Sequence, residues 1–175
     1  MLGLASGFLG GCGTGFPWLV GRGSETAGGT KEARIMASVT SLDPDTGLPE
    51  TLSGTLAGDF EGTYEETILE VFLGEDGTPL AAVSRTELTI ESPATGTLTS
   101  LNLIIVVEPI VSTDESSGQN VPIGLMTAAT GEVIHGRDAF EGTVGQLYSD
   151  SSLLFQGGDA GMGMLESDLL ITLSP

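Results

Sequence analysis

From Leu52 to Tyr64 the sequence alternates without a break. The even positions read Leu52, Gly54, Leu56, Gly58, Phe60, Gly62 and Tyr64, and the odd ones Thr51, Ser53, Thr55, Ala57, Asp59, Glu61 and Thr63. One face is apolar or bare and the other polar, the pattern of a half-buried antiparallel strand. After Glu65 and Glu66 the parity slips, and Leu69, Val71 and Leu73 become the apolar set. A bulge near residues 62–67 produces that flip by adding one residue to the strand. It turns Glu66 and Glu70 outward, which is the preferred reading. An unbroken strand would instead hold both on the inner face.

The same texture continues along the chain. Ile35, Ala37 and Val39 share one face of a strand over 33–40. A turn follows in which Pro44 fixes φ, Asp43 and Asp45 cap the backbone and Gly47 supplies a positive φ. Residues 74–79 read as a hairpin turn, 80–91 as a strand and Ser92-Pro93-Ala94 as another turn. Residues 97–107 carry apolar side chains of both parities, so both sides of that strand are expected to be covered, by the N-terminal leader or by a partner subunit. An exposed loop is expected at 112–120, then strands at 121–129, 131–136, 139–149, 151–157 and 163–173. No stretch shows capped, helically spaced apolar residues.

About eight strands at hairpin spacing, with Gly recurring on the inward face, predict an all-β fold. The expected architecture is a closed antiparallel up-and-down β-barrel over residues 33–175, behind a flexible Gly-rich segment over 1–32. Aromatic residues are only 5% of the chain and form no girdles, which argues against a membrane barrel.

The N-terminal segment has no charged residue before Gly21, and residues 22–32 read as a polar linker. Leu9-Gly10-Gly11-Cys12 resembles the lipobox of bacterial lipoproteins, in which the cysteine is lipidated. Cys12 is therefore a lipidation candidate, and an extracytoplasmic location, secreted or lipid-anchored, is expected. A Gly-rich tail without that role is the alternative.

Charge excludes several partners. The 175 residues include 24 acidic and 5 basic ones, a formal net charge of -19. Such a surface repels phosphate backbones, so no nucleic acid is expected as a partner. Anionic membranes are repelled for the same reason, which leaves a membrane contact only through the lipid anchor. With one cysteine and one histidine, His135, neither a disulfide within the chain nor a Cys- or His-rich metal site can form. Neither metal nor cofactor is expected.

One tetrapeptide occurs twice, as Phe60-Glu61-Gly62-Thr63 and as Phe140-Glu141-Gly142-Thr143. The second copy lies in Val133-Ile134-His135-Gly136-Arg137-Asp138-Ala139-Phe140-Glu141-Gly142-Thr143-Val144-Gly145, where two short β-like runs meet at a polar turn, Gly136-Arg137-Asp138. The glycines at 142 and 145 allow a sharp bend or a close backbone approach. This stretch is similar to the I-x-G-G-T-G-x-F-x-G-A-x-G signature of the allene oxide cyclase and dirigent-like barrel superfamily, with Gly136-Arg137-Asp138 one residue shorter than the family's Gly-Gly-Thr-Gly. Residues 53–62 and 165–173 resemble an early Gly-alternating strand and the closing strand of its bacterial members. The resemblance implies an eight-stranded barrel with a central apolar cavity, often oligomeric. None of the plant enzymes' catalytic residues finds a matching position here.

The inside of such a barrel is the default ligand site. With unbroken parity, Tyr64, Glu66 and Glu70 face it. A carboxyl in apolar surroundings has a raised pKa and can serve as a general acid or base. Arg85 and Asn102 are candidates to supply the complementary charge or hydrogen bond, and Tyr64 and Asn102 to contact a ligand. His135 beside Arg137 reads as a solvated turn. Asp43-Pro44-Asp45 and Asp114-Glu115 read as turn chemistry rather than calcium ligands.

Two functions follow. One is an exported barrel that binds a small apolar ligand or self-associates. The other is a cofactor-independent cyclase or isomerase, or a dirigent-like enzyme, acting on a lipid-derived or phenolic substrate. A buried carboxylate paired with Arg or Tyr favours the enzyme and an all-apolar lumen the binder. The binder is the preferred expectation.

Overall fold

The computed structural model describes residues 28–114, 117–156 and 159–175. Cys12 and most of the leader therefore lie outside the described residues. Eight strands follow one another: β1 (Gly29–Leu42), β2 (Pro49–Gly58), β3 (Glu61–Leu73), β4 (Pro79–Ser92), β5 (Gly96–Thr113), β6 (Asn120–Asp138), β7 (Val144–Gln156) and β8 (Asp159–Ser174). Each pairs antiparallel with the next, and β8 returns to β1 through a register running from Gly29 opposite Leu173 to Ser38 opposite Met164. The expected closed up-and-down barrel is what forms. Closure leaves no unpaired sheet edge.

The alternation over 52–64 is not one strand but a hairpin: β2 ends at Gly58, β3 starts at Glu61, and Leu56 pairs with Gly62, while Leu52, Leu56, Phe60 and Tyr64 are all buried. Several local expectations need correction. β1 begins at Gly29 rather than Ala33. Gly136-Arg137-Asp138 is not a turn: it pairs with Leu98, Thr97 and Gly96, because β5 offers backbone partners that far. The turn falls at 139–143, closed by the Phe140 amide on the Arg137 carbonyl at 3.1 Å and the Thr143 amide on the Phe140 carbonyl at 3.0 Å. In it Gly142 takes φ 77°, and a Cβ on Gly145 would lie 2.3 Å from the Thr172 carbonyl oxygen. The breaks expected at Thr130 and Asp150 do not occur either. Both residues are paired on two sides, which outweighs the local turn chemistry.

The barrel has two unlike ends. At one, the two copies of the repeated tetrapeptide bring Phe60 and Phe140 together, edge to face, with ring centroids 5.7 Å apart and planes at 87°. Neither ring has measurable exposure, and Ile90, Leu98 and Ile171 pack beside them. That end is plugged. At the other end are the β1–β2 and β3–β4 hairpins. There the Asp43 Oδ1 accepts from the amides of Asp45 and Thr46 at 2.7 and 3.1 Å, the turn chemistry its sequence predicts.

The exterior of β5 is not covered by any described residue. Leu101, Leu103, Ile105 and Val107 all stand exposed. An exposed Arg34–Glu166 ion pair bridges β1 and β8; pairs so placed contribute about 0–1 kcal/mol.

Candidate functional site

The inward positions of β3, β4 and β5 follow one rule when read from the plugged end. They run Phe60, Tyr64, Glu66, Ile68 toward and along β3; Ile90, Leu88, Thr86, Ser84, Ala82 along β4; and Leu98, Ser100, Asn102, Ile104 along β5. Each goes from apolar to polar and back to apolar. Strand register then aligns the polar stretches: Glu66 lies opposite Thr86, Thr86 opposite Ser100, and Ser84 opposite Asn102. The result is a polar layer midway down an apolar lumen.

Glu66 is its centre, 8% exposed. The Tyr64 hydroxyl donates to Glu66 Oε2 at 2.5 Å and the Ser84 hydroxyl to Oε1 at 2.7 Å. The Asn102 amide donates onward to Ser84 Oγ at 3.2 Å and to Thr86 Oγ1 at 2.8 Å. Across the lumen Ser151 donates to Ser167 at 2.8 Å. Among the described residues, two buried oxygens have no partner, Asn102 Oδ1 and Ser100 Oγ. Gly131 makes room for the first: a Cβ there would fall 2.0 Å from Asn102 Oδ1, so the amide oxygen occupies the space a side chain would fill.

Burial pushes the Glu66 carboxyl up from its ordinary pKa, and hydrogen bonds from Tyr64, Ser84 and Thr86 pull against that. The Tyr64 phenol is pushed well up as well, by burial first and then by the neighbouring Glu66 charge. Among the described residues no Lys or Arg is buried with them.

The layer faces a chamber of about 50 Å³, lined by Tyr64, Glu66, Thr86 and Asn102 on one side and Ser149, Ser151 and Ser167 on the other. Glu66, Ile104, Thr127 and Leu165 also line a second hollow of about 110 Å³. This is an apolar mouth at the hairpin end, walled by Leu48, Pro49, Ile68, Val71, Ala82 and Val106. For scale, an apolar protein cavity of about 150 Å³ accepts benzene. A larger open groove, about 990 Å³, runs over the exterior past Leu103, Ile105, Tyr148 and Leu170, with Arg34, Asp150 and Asp168 beside them. Its charged groups, Arg34 opposite Asp168 and Asp168 opposite Asp150, are solvated. The lumen's polar groups are buried, and that makes it the better candidate.

The structure brings Tyr64, Glu66 and Asn102 together and leaves Glu70 and Arg85 out. Neither parity expected for β3 is what occurs. The irregularity falls between Ile68 and Glu70, after Glu66 rather than before it. Glu66 therefore keeps the inward phase, while Glu70 is exposed beyond the bulge. Arg85 sits between the inward Ser84 and Thr86 and is exposed on the outer face. His135 is likewise exterior, accepting from Arg137 Nε at 3.2 Å. Sequence reasoning missed Ser84, Thr86 and Ser100. Their signal was parity: each shares the phase of its strand's apolar residues.

No family model and no curated protein matches the chain. Among solved structures it is similar to a pterocarpan synthase dirigent protein, at 14% identity over 81% of this chain and 83% of that one, with a TM-score of 0.27.

Proposed function

We propose that the protein binds a small molecule inside the barrel, an apolar body of about one ring in the mouth and one polar head group in the chamber. The observation that carries this is the two-part lumen: an apolar mouth leading to buried hydrogen-bonding groups, two of them unpartnered. An unpartnered buried polar oxygen costs about 1–3 kcal/mol, a cost that a ligand head would relieve. The exposed apolar row Leu101, Leu103, Ile105 and Val107 on β5 supports self-association beside this role, since exposed apolar patches mark contact surfaces. Export through Cys12 remains part of the same proposal.

Titration calorimetry with benzyl alcohol tests it. Wild type should bind, and Ala82→Phe, which fills the mouth, should weaken binding by tenfold or more, about 1.4 kcal/mol. Unchanged affinity in a folded Ala82→Phe variant would place the ligand elsewhere.

One observation favours the enzymatic alternative. Tyr64 and Glu66 form the buried carboxyl–phenol pair that an isomerase needs, with Glu66 as the acid or base and Tyr64 holding it. Glu66-dependent exchange of solvent deuterium into a bound small ketone would identify it. Exchange unaffected by Glu66→Gln would exclude that role.

A further inference from the structure

We infer that the head group of the lumen ligand is a basic nitrogen, so that the protein recognises a small apolar amine. This rests on the lumen being the binding site, and it follows from counting donors and acceptors around Glu66.

The donors on that wall are spent, save the hydroxyl of Ser100. An Asn side chain has two N–H donors, and both of Asn102's are used, on Ser84 and Thr86. The hydroxyl protons of Tyr64 and Ser84 are both committed to Glu66. What remains is acceptor capacity: lone pairs on the Glu66 carboxylate, both lone pairs of Asn102 Oδ1, and Ser100 Oγ, which can act either way. On the facing wall Ser167 already accepts from Ser151, and hydroxyls there can turn to accept as readily as to donate. A head group that fits must bring donors. An ammonium brings three, an alcohol one and a carboxylate none.

Charge selects in the same direction. A buried carboxyl keeps its charge most readily beside a cation, and among the described residues the chain buries none beside Glu66. Lys31 and the three described arginines lie outside the lumen linings, which leaves the place beside Glu66 open to a cationic ligand. The net charge of -19 draws cations toward the barrel and repels anions.

Calorimetry with three probes of equal size, benzylamine, benzyl alcohol and benzoate, decides this. A charge-assisted hydrogen bond contributes more than a neutral one, so benzylamine should bind wild type about tenfold more tightly than benzyl alcohol. Benzoate should not bind. In Glu66→Gln the amine's advantage should vanish, so that benzylamine and benzyl alcohol bind within about twofold of each other. If benzyl alcohol or benzoate binds wild type as well as benzylamine, the amine assignment is overturned and the lumen site stands. If none of the three binds, both are overturned.

Discussion

Replacing Phe140 by alanine should lower the unfolding free energy by about 3–5 kcal/mol, the range for a fully buried phenylalanine. For a domain of this size that is a fall in melting temperature of roughly 10 °C or more. The cause is specific. Phe140 has no exposed surface and lies edge-on to Phe60, so its loss leaves a void at the one end of the barrel that is sealed. Milder Leu replacements at 60 and 140 should be less than additive when combined, because the edge-to-face contact is worth about 0.5–1.5 kcal/mol beyond burial and is lost in either single variant. A loss below about 1 kcal/mol in Phe140→Ala would mean that the two rings are not the plug.

The second large effect is on pH. Burial raises the Glu66 pKa above its ordinary 4.5. Between that value and the folded-state pKa, the unfolded chain has released a proton that the folded chain still holds. Stability must therefore fall as pH rises across that window, by up to about 1.4 kcal/mol per pH unit. The group's stabilisation is fully present below its unfolded pKa and fully lost above its folded one. Glu66→Gln removes the effect and should be the more stable protein on the alkaline side of the window. Urea midpoints for both proteins between pH 4 and pH 9 measure it, and the difference between the two curves cancels the many surface carboxylates. Tyr64, the other titratable lumen side chain, is neutral throughout because its pKa is raised well above 10.0. Parallel curves would mean that Glu66 is solvated.

Much of the barrel was legible because alternation is a local property. Residues 52–64 announce one wet and one dry face without reference to anything distant, and the structure buries Leu52, Leu56, Phe60 and Tyr64 accordingly, though across a β2–β3 hairpin rather than along one strand. Boundaries were less legible. Gly131 and Asp150 have turn chemistry yet lie in strands because neighbours on both sides supply backbone partners, and Gly136-Arg137-Asp138 does so on its pairing with β5 alone. The repeat at Phe60 and Phe140 was visible as text, but that the two rings meet is a consequence of closure. The candidate site turned on one residue of phase. The sequence demands a bulge in β3, yet only pairing with β4 fixes it beyond Ile68, which keeps Glu66 inside and sends Glu70 out. Asn102 was found by its polarity within an apolar run. Ser84 and Thr86 were not, since small hydroxyls suit either face of a strand.

The lumen as binding site is tested most directly by methyl-resolved NMR during titration with benzylamine. β5 carries its own control, because Ile104 lines the lumen while its neighbour Ile105 is exposed on the exterior groove. The methyl signals of Ile104 and Leu165 should move with saturation, and those of Ile105 and Leu103 should stay. Movement of Ile105 and Leu103 with Ile104 unchanged would place the ligand on the outside of the barrel and contradict the lumen site.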